Sequence, residues 1–267
     1  MKRSRNSSEK NIPTVIFCGG TGTRLKEETE FRPKPIIRIG ERPILWHIMK
    51  IYSHQGFHDF VFCLGYKGEL IKDYFLRHKH LSQDFLLDLH SQKIAFFDPY
   101  PKEPWKITFA ETGLETFTAG RLFRAKRYLE KHKRFMATYG DGLADIDIAK
   151  LITFHKKHGK IATITGAHPH SKYGLVEATP DKRITSFNQK PRLHDYVNIG
   201  FMVFEREIFD YLGEDVMIED IFLELAKDGE LMMYQHDGFF HAMDTYKDYE
   251  DLNKMWSEEK HPWKIWK

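Results

Sequence analysis

Two rhythms of apolar residues alternate along the chain. Val15, Ile16 and Phe17 form a short β-prone run, and so does the span 59–65, whereas Ile44, Leu45, Ile48, Ile51 and Tyr52 recur at helical spacing between them. Pro43 stands just ahead of that helix and Gly56 where it should stop. Strand, helix, strand in this order implies a parallel pair joined by a crossover. The segment after Phe17 then lies at the carboxyl edge of the sheet, where ligands bind in open α/β folds.

The same reading extends downstream. Residues 68–75 read as a helix, and 84–97 and 105–111 as strands of an inserted or edge region. Residues 118–129 read as an amphipathic helix with Thr118 at its cap, and 135–139 as a strand ending in Gly140-Asp141-Gly142. A helix over 148–158 follows. Strands are expected over 161–166, 175–179, 184–188 and 197–205, helices over 206–212 and 218–227, strands over 231–235 and 239–242, and a last helix over 246–256. The pattern predicts an α/β protein with smaller β-rich additions. Residues 1–11 are polar and predict a flexible tail, leaving 12–267 as one domain.

Composition narrows the class. Hydrophobic residues at 41% suit a globular protein, and 41 Lys plus Arg against 38 Asp plus Glu leave only +3, so no broad basic field points to nucleic acid. No apolar segment approaches the roughly 18 residues that span a bilayer, and 1–11 lacks the apolar core of a secretory signal. A cytoplasmic location without a membrane partner is the expectation. Cys18 and Cys63 fall inside predicted strands and read as reduced, buried thiols.

The chemistry concentrates in Cys18-Gly19-Gly20-Thr21-Gly22-Thr23-Arg24-Leu25 and Arg32-Pro33-Lys34-Pro35. A loop with three glycines brings backbone N–H groups close to an anion, and Arg24 adds a guanidinium that grips phosphate oxygens. Lys34 is confined by prolines on both sides. The spacing is neither the G-x-x-x-x-G-K-[ST] of P-loop enzymes nor the G-x-G-x-x-G of dinucleotide binders. Asp141, free of packing between two glycines, suits a magnesium ligand. Asp244 is either a second such carboxylate or a cap for the helix beginning near Tyr246. Gly120 and Arg121, near a helix start, are placed to approach a nucleotide. His168-Pro169-His170 has no zinc-type spacing and reads as a polar loop beside Tyr173-Gly174.

These motifs, with Arg42-Pro43-Ile44-Leu45-Trp46-His47, Gly65-Tyr66-Lys67-Gly68, Tyr139-Gly140-Asp141-Gly142, Gln189-Lys190-Pro191, Asn198-Ile199-Gly200-Phe201, Met243-Asp244-Thr245 and Pro262-Trp263-Lys264-Ile265-Trp266, resemble sugar-1-phosphate nucleotidylyltransferases. The glucose-1-phosphate cytidylyltransferase branch is the most similar. The resemblance runs nearly the full length. It implies a Rossmann-like, mainly parallel sheet of the nucleotide-diphospho-sugar transferase type, with 12–147 mainly nucleotide-binding and 148–267 mainly acceptor-binding. It implies transfer from a nucleoside triphosphate, CTP first, to a phosphorylated sugar or polyol, with Arg24, Lys34, Asp141 and Lys190 catalytic and Mg²⁺ held by Asp141 and Asp244. The nucleotide would meet Phe17, Cys18, Gly19, Gly20, Gly22, Thr23, Arg24, Lys34 and Gly120. The acceptor would meet His170, Tyr173, Gln189, Lys190, Asn198 and Gly200. A homo-oligomer is implied too, with Trp263 and Trp266 as exposed contact aromatics.

Gln189 departs from the resembling pattern, which carries a glutamate there, and Ile199 replaces a small residue. Both changes bear on the acceptor and not on the reaction type. Two rival readings are a nucleotide-sugar-dependent glycosyltransferase, with Asp141 holding the metal, and a catalytically silent nucleotide-sensing subunit.

Overall fold

The central sheet is built outward from β1 (Thr14–Cys18), in a computed structural model that describes residues 12–98, 103–171 and 173–266. The expected tail, 1–11, lies outside the described residues. The other strands are β2 (Asp59–Leu64), β3 (Lys106–Glu111), β4 (Arg134–Tyr139), β5 (Ala162–Ala167), β6 (Val197–Asn198), β7 (Met202–Glu205) and β8 (Leu231–His236). β2 and β4 flank β1 in parallel, and β3 extends the sheet in parallel beyond β2. On the other side β7 runs antiparallel to β4, β5 pairs antiparallel with β6 and β7, and β8 lies parallel to β5. The sheet is mixed and mainly parallel, as the resemblance implies.

The central strand β1 is buried on both faces. Ile16 and Cys18 of β1 point into one apolar cluster while Val15 and Phe17 point into the other, the two-residue alternation of an extended chain. Helices α1 (Ile44–His54) and α2 (Ile148–His158) pack in the first layer through Ile44, Leu45, Ile48, Ile148 and Leu151. Helices α3 (Thr118–Arg124) and α4 (Ile218–Lys227) pack in the second through Ala119, Leu122, Ile218, Ile221 and Leu225. Cys18 and Cys63 are buried free thiols. Among the described residues no helix is long and apolar enough to cross a membrane.

Several expectations are refined. The span 118–129 is two helices, broken at Ala125, and Thr118 does not cap the first. Its hydroxyl instead accepts a hydrogen bond from Ile218 N at 2.9 Å, tying α3 to the start of α4. The span 197–205 is one lane interrupted at Gly200, whose φ is +80°. The span 84–97 is a hairpin of Phe85–Asp88 on Lys93–Phe96, apart from the main sheet. Phe240–Ala242 pairs with Gly142–Ala144, also outside it.

The closing tryptophans are a correction. Trp263 is 0% exposed and Trp266 8%, so neither is the surface aromatic expected of an oligomer contact. Both rings pack near His47 of α1, as does Trp256 at 4.9 Å between centroids. His47 Nε2 sits 3.0 Å from the Ile39 carbonyl, which can only accept, so Nε2 carries the proton and Nδ1 faces the Trp263 indole N–H at 3.5 Å. The imidazole is therefore neutral, and burial pushes its pKa down to about 4.

A base whose pKa is depressed on folding contributes stability that is complete above its unfolded value, about 6.5, and lost as pH falls toward about 4. Two and a half pH units correspond to about 3 kcal/mol. Denaturant unfolding across pH 6.5 to 4 should show the wild type losing more stability than His47→Gln by about this amount. Equal slopes for the two proteins would remove His47 from the acid sensitivity.

Candidate functional site

At the carboxyl ends of β1 and β4 a cavity of about 350 Å³ opens, walled by the glycine-rich loop, Lys34, Thr116, Tyr139, Asp141 and Asp244 among others. The loop is shaped from behind by Arg121. Its guanidinium is buried and has no carboxylate partner among the described residues. Instead it donates to the carbonyls of Gly19 (3.0 Å), Leu64 (2.9 Å), Gly113 (2.7 Å) and Leu114 (3.1 Å) and to the Thr112 hydroxyl (2.9 Å). Tyr66 N also donates to the Gly19 carbonyl. Because a trans peptide sets N–H opposite C=O, the Gly20 N–H points away from Arg121. Gly19 has no alternative residue here, since a Cβ would stand 2.1 Å from the Arg121 guanidinium.

The second feature is an ammonium between two carboxylates. Lys34 Nζ lies 2.8 Å from Asp141 Oδ2 and 2.8 Å from Asp244 Oδ1. Burial works against its charge, yet the attraction and hydrogen bonds of Asp141 and Asp244 raise its pKa above the ordinary lysine value, so it stays protonated. Arg24 is exposed, with its guanidinium 3.7 Å from Asp244 Oδ2, a weak and screened pair that leaves it available to an anion. The aspartates meet because Ala242 pairs with Gly142 and Met243 N donates to the Asp141 carbonyl at 2.9 Å. Asp244 is not the helix cap: Thr245 is, in a capping box with Asp248.

Phe17, Cys18, Gly19, Gly20, Gly22, Thr23, Arg24, Lys34, Asp141 and Asp244 thus line one cavity. Gly120 does not, and this is a correction. It is buried where a Cβ would lie 1.9 Å from the Glu214 carbonyl oxygen, so it is a packing glycine, and its neighbour Arg121 reaches the cavity instead. Thr116 and Phe117 also line the cavity without a sequence signal, and Tyr139 is named from sequence only within the motif Tyr139-Gly140-Asp141-Gly142. Tyr139 ends β4 and donates to Glu219 Oε1 at 2.5 Å; burial and that carboxylate raise its pKa. The strand end alone was a usable signal for it.

The acceptor candidates gather elsewhere, and none of them lines this cavity. Gln189 pairs with Gly174 across the exposed hairpin Gly174–Ala178 on Ile184–Gln189, next to Tyr173, which is 78% exposed. Lys190, with φ +50°, follows, and its carbonyl lies 3.3 Å from His170 Nδ1. Asn198 Oδ1 accepts from Gly200 N at 3.0 Å, and Gly200 packs on the Tyr139 ring, the link between this group and the cavity. Among the described residues no group of three or more His, Cys, Asp or Glu converges as a metal site, so Asp141 and Asp244 are a two-carboxylate pair only.

A mainly parallel sheet carrying a glycine-rich loop and paired aspartates at its carboxyl edge defines an α/β protein of the nucleotide-diphospho-sugar transferase type. Its fold matches HddC from Yersinia pseudotuberculosis complexed with GMP-PN, with a TM-score of 0.66 at 22% identity over 92% of this chain and 99% of that one. It also matches a putative glucose-1-phosphate thymidylyltransferase from Bacillus anthracis, with a TM-score of 0.66 at 16% identity over 91% and 94%. The chain belongs to the nucleotidyl transferase family, whose pattern covers residues 13–259. It is 45% identical over 258 residues to the probable glucose-1-phosphate cytidylyltransferase of Bacillus subtilis, spanning 96% of this chain and 100% of that protein. To the glucose-1-phosphate cytidylyltransferase of Salmonella typhimurium it is 40% identical over 265 residues, spanning 96% and 100%.

Gly120→Ala separates packing from binding. Overfilling a tight site costs roughly 1–3 kcal/mol, so its melting temperature should fall while the KM for the triphosphate, measured well below that temperature, stays at the wild-type value. A raised KM with unchanged melting would return Gly120 to the nucleotide site.

Proposed function

We propose that this chain is a sugar-1-phosphate cytidylyltransferase, joining CTP to a phosphorylated sugar with release of pyrophosphate. The observation that carries this reading is Lys34 held between Asp141 and Asp244 beside the glycine-rich loop. It is supported by the names of the Bacillus and Salmonella relatives. Backbone N–H groups of the loop, with Arg24, would receive the triphosphate. Lys34 would place its charge near the α-phosphate, and Lys190 would meet the acceptor's phosphate. An acceptor phosphate oxygen then attacks the α-phosphorus in line as the bond to the pyrophosphate oxygen breaks. A sugar phosphate is already largely ionised near pH 7, so no general base is needed.

The hard carboxylates of Asp141 and Asp244, which share the Lys34 ammonium, would hold Mg²⁺ once that ammonium turns to the triphosphate, since the ion takes one or two protein carboxylates and completes its shell with phosphate and water. When bound there, Mg²⁺ would neutralise phosphate charge and polarise the reacting phosphorus. The buried free thiols of Cys18 and Cys63 fit a reducing compartment, the cytoplasm. For a homo-oligomer, the exposed Leu86, Leu87 and Phe97 offer contact surface in place of Trp263 and Trp266. A glycosyltransferase would leave Lys34 without a triphosphate to bind, and a silent nucleotide sensor would have no use for the paired aspartates.

Asp141→Ala and Asp244→Ala should each lower turnover on the order of a hundredfold or more while the fold persists by circular dichroism. Pyrophosphate release from a matrix of triphosphates and sugar phosphates is the assay. Near wild-type release by either variant at limiting Mg²⁺ would remove that residue from the site, and release from no triphosphate would favour the rivals.

The acceptor is proposed to differ from plain glucose-1-phosphate, because Gln189 both donates and accepts where the resembling pattern has an acceptor-only carboxylate. A charge-assisted hydrogen bond exceeds a neutral one by roughly 1–1.5 kcal/mol, about tenfold in kcat/KM. Gln189→Glu should therefore improve glucose-1-phosphate about tenfold relative to other sugar and polyol phosphates. If glucose-1-phosphate is the best acceptor of the unmodified chain, Gln189 is a tolerated variant.

A further inference from the structure

A second cavity, of about 290 Å³, shares no lining residue with the first and is built from Arg38, Glu41, Arg42, Tyr74, His78 and Ser82. Arg38 and Arg42 sit on the two short strands Arg38–Ile39 and Arg42–Pro43, facing the later turns of the helix Gly68–Leu81 and the Ser82 that follows it. Neither guanidinium has a carboxylate partner among the described residues. Glu41, exposed, is the one carboxylate in the lining. Arg42 Nη1 lies 2.5 Å from His78 Nε2, and a guanidinium only donates, so Nε2 accepts and the imidazole is neutral. The Tyr74 ring stacks on that imidazole with centroids 5.0 Å apart, and the Trp46 ring lies under Arg42 at 5.7 Å. Neutral partners therefore hold Arg42 in place without cancelling its charge. Burial first, then Arg42 and Arg38, lower the pKa of His78, in keeping with a positive local field.

Two guanidinium forks at one recess, Arg42 held by its neighbours and Arg38 exposed beside it, match the several oxygens of a phosphoryl group better than the two of a carboxylate. We infer that this cavity is a second anion site, which binds a phosphoryl dianion carried by free phosphate or by a phosphorylated small molecule. Its volume exceeds that of a bare phosphate and leaves room for an attached ring. The site lies close in sequence to the first one. Arg38 follows Lys34 by four residues through the short helical turn Lys34–Ile36, and Gly40 N donates to Asn253 Oδ1 at 2.9 Å, on the helix that begins just after Asp244.

The test uses the full chain carrying Lys34→Ala and Lys190→Ala, which leaves Asp141 and Asp244 unneutralised, turns phosphate away from the first cavity and removes the cation proposed for the acceptor's phosphate. Inorganic phosphate and glucose-1-phosphate are titrated in turn by calorimetry at fixed ionic strength. One saturable site per chain is expected, weakened on the order of ten- to a hundredfold by adding Arg42→Gln. Arg38→Gln, whose side chain is exposed, should weaken it too and serves if the Arg42 variant fails to fold. Saturation by both probes with equal affinity identifies free phosphate as sufficient, and tighter binding of glucose-1-phosphate identifies a phosphorylated sugar; either supports the site. Absence of saturable binding, or binding that neither arginine variant weakens, overturns it.

Discussion

The buried guanidinium of Arg121 is the interaction on which the rest of the site depends. It meets the carbonyl ends of segments that leave three neighbouring strands: Gly19 after β1, Leu64 at the end of β2, and Gly113 and Leu114 after β3. The Gly19 and Leu64 carbonyls also accept from Tyr66 N and Thr112 N, so Arg121 takes up their remaining lone pairs along with the carbonyls of Gly113 and Leu114, which would otherwise be costly to bury. One planar donor with five N–H groups satisfies several of them at once, and in doing so fixes the order and spacing of the loops. Placing a cation there without a countercharge has a second effect. The floor of the cavity carries positive charge close to where an anion would lie, at a point that water reaches poorly, so the field is little screened.

The other constraint is long-range. Lys34 meets Asp141 and Asp244 across 107 and 210 residues of chain, so the three charges assemble only when β1, β4 and the Gly142–Ala144 strand pair have all formed. The arrangement is polar, partly buried and compensated: one ammonium shared by two carboxylates leaves a local charge of minus one, and Arg24 at the rim offsets it. Such a cluster binds cations and phosphate together more readily than either alone, because each charge added cancels one already present.

The parallel strands β1, β2 and β4 and helix α1 were legible in the sequence because their apolar periods are long and both faces are buried. The loop and its charges were legible because glycine, proline and charge cluster there within twenty residues. What the sequence concealed is tertiary. That Thr118 ties two helices, and that Gly120 packs on a backbone carbonyl, depends on the helix Ile218–Lys227 and the turn before it, about a hundred residues away. Arg121 reads as a basic residue near a helix start, placed to approach a nucleotide, and only the position of β2 and β3 reveals that it grips the carbonyls behind the loop. Trp263 and Trp266 look like surface aromatics because their partners, Trp46 and His47, are more than two hundred residues upstream.

That aromatic cluster also bears on the site, through one helix. Asp244 is followed at once by Thr245, whose capping box with Asp248 fixes the first turn of Tyr246–Ser257, and Asp248 Oδ2 accepts from Asp244 N at 3.2 Å. At the far end of the same helix Trp256 lies against His47, and Asn253 holds Gly40. A helix clamped at both ends transmits position along its axis, since its hydrogen-bond ladder resists stretching while its ends do not fray. The carboxylate of Asp244 is thus set by burial of indoles more than two turns away. A neutral His47 is part of that setting, because a second ring proton would face the Trp263 N–H where an acceptor is required.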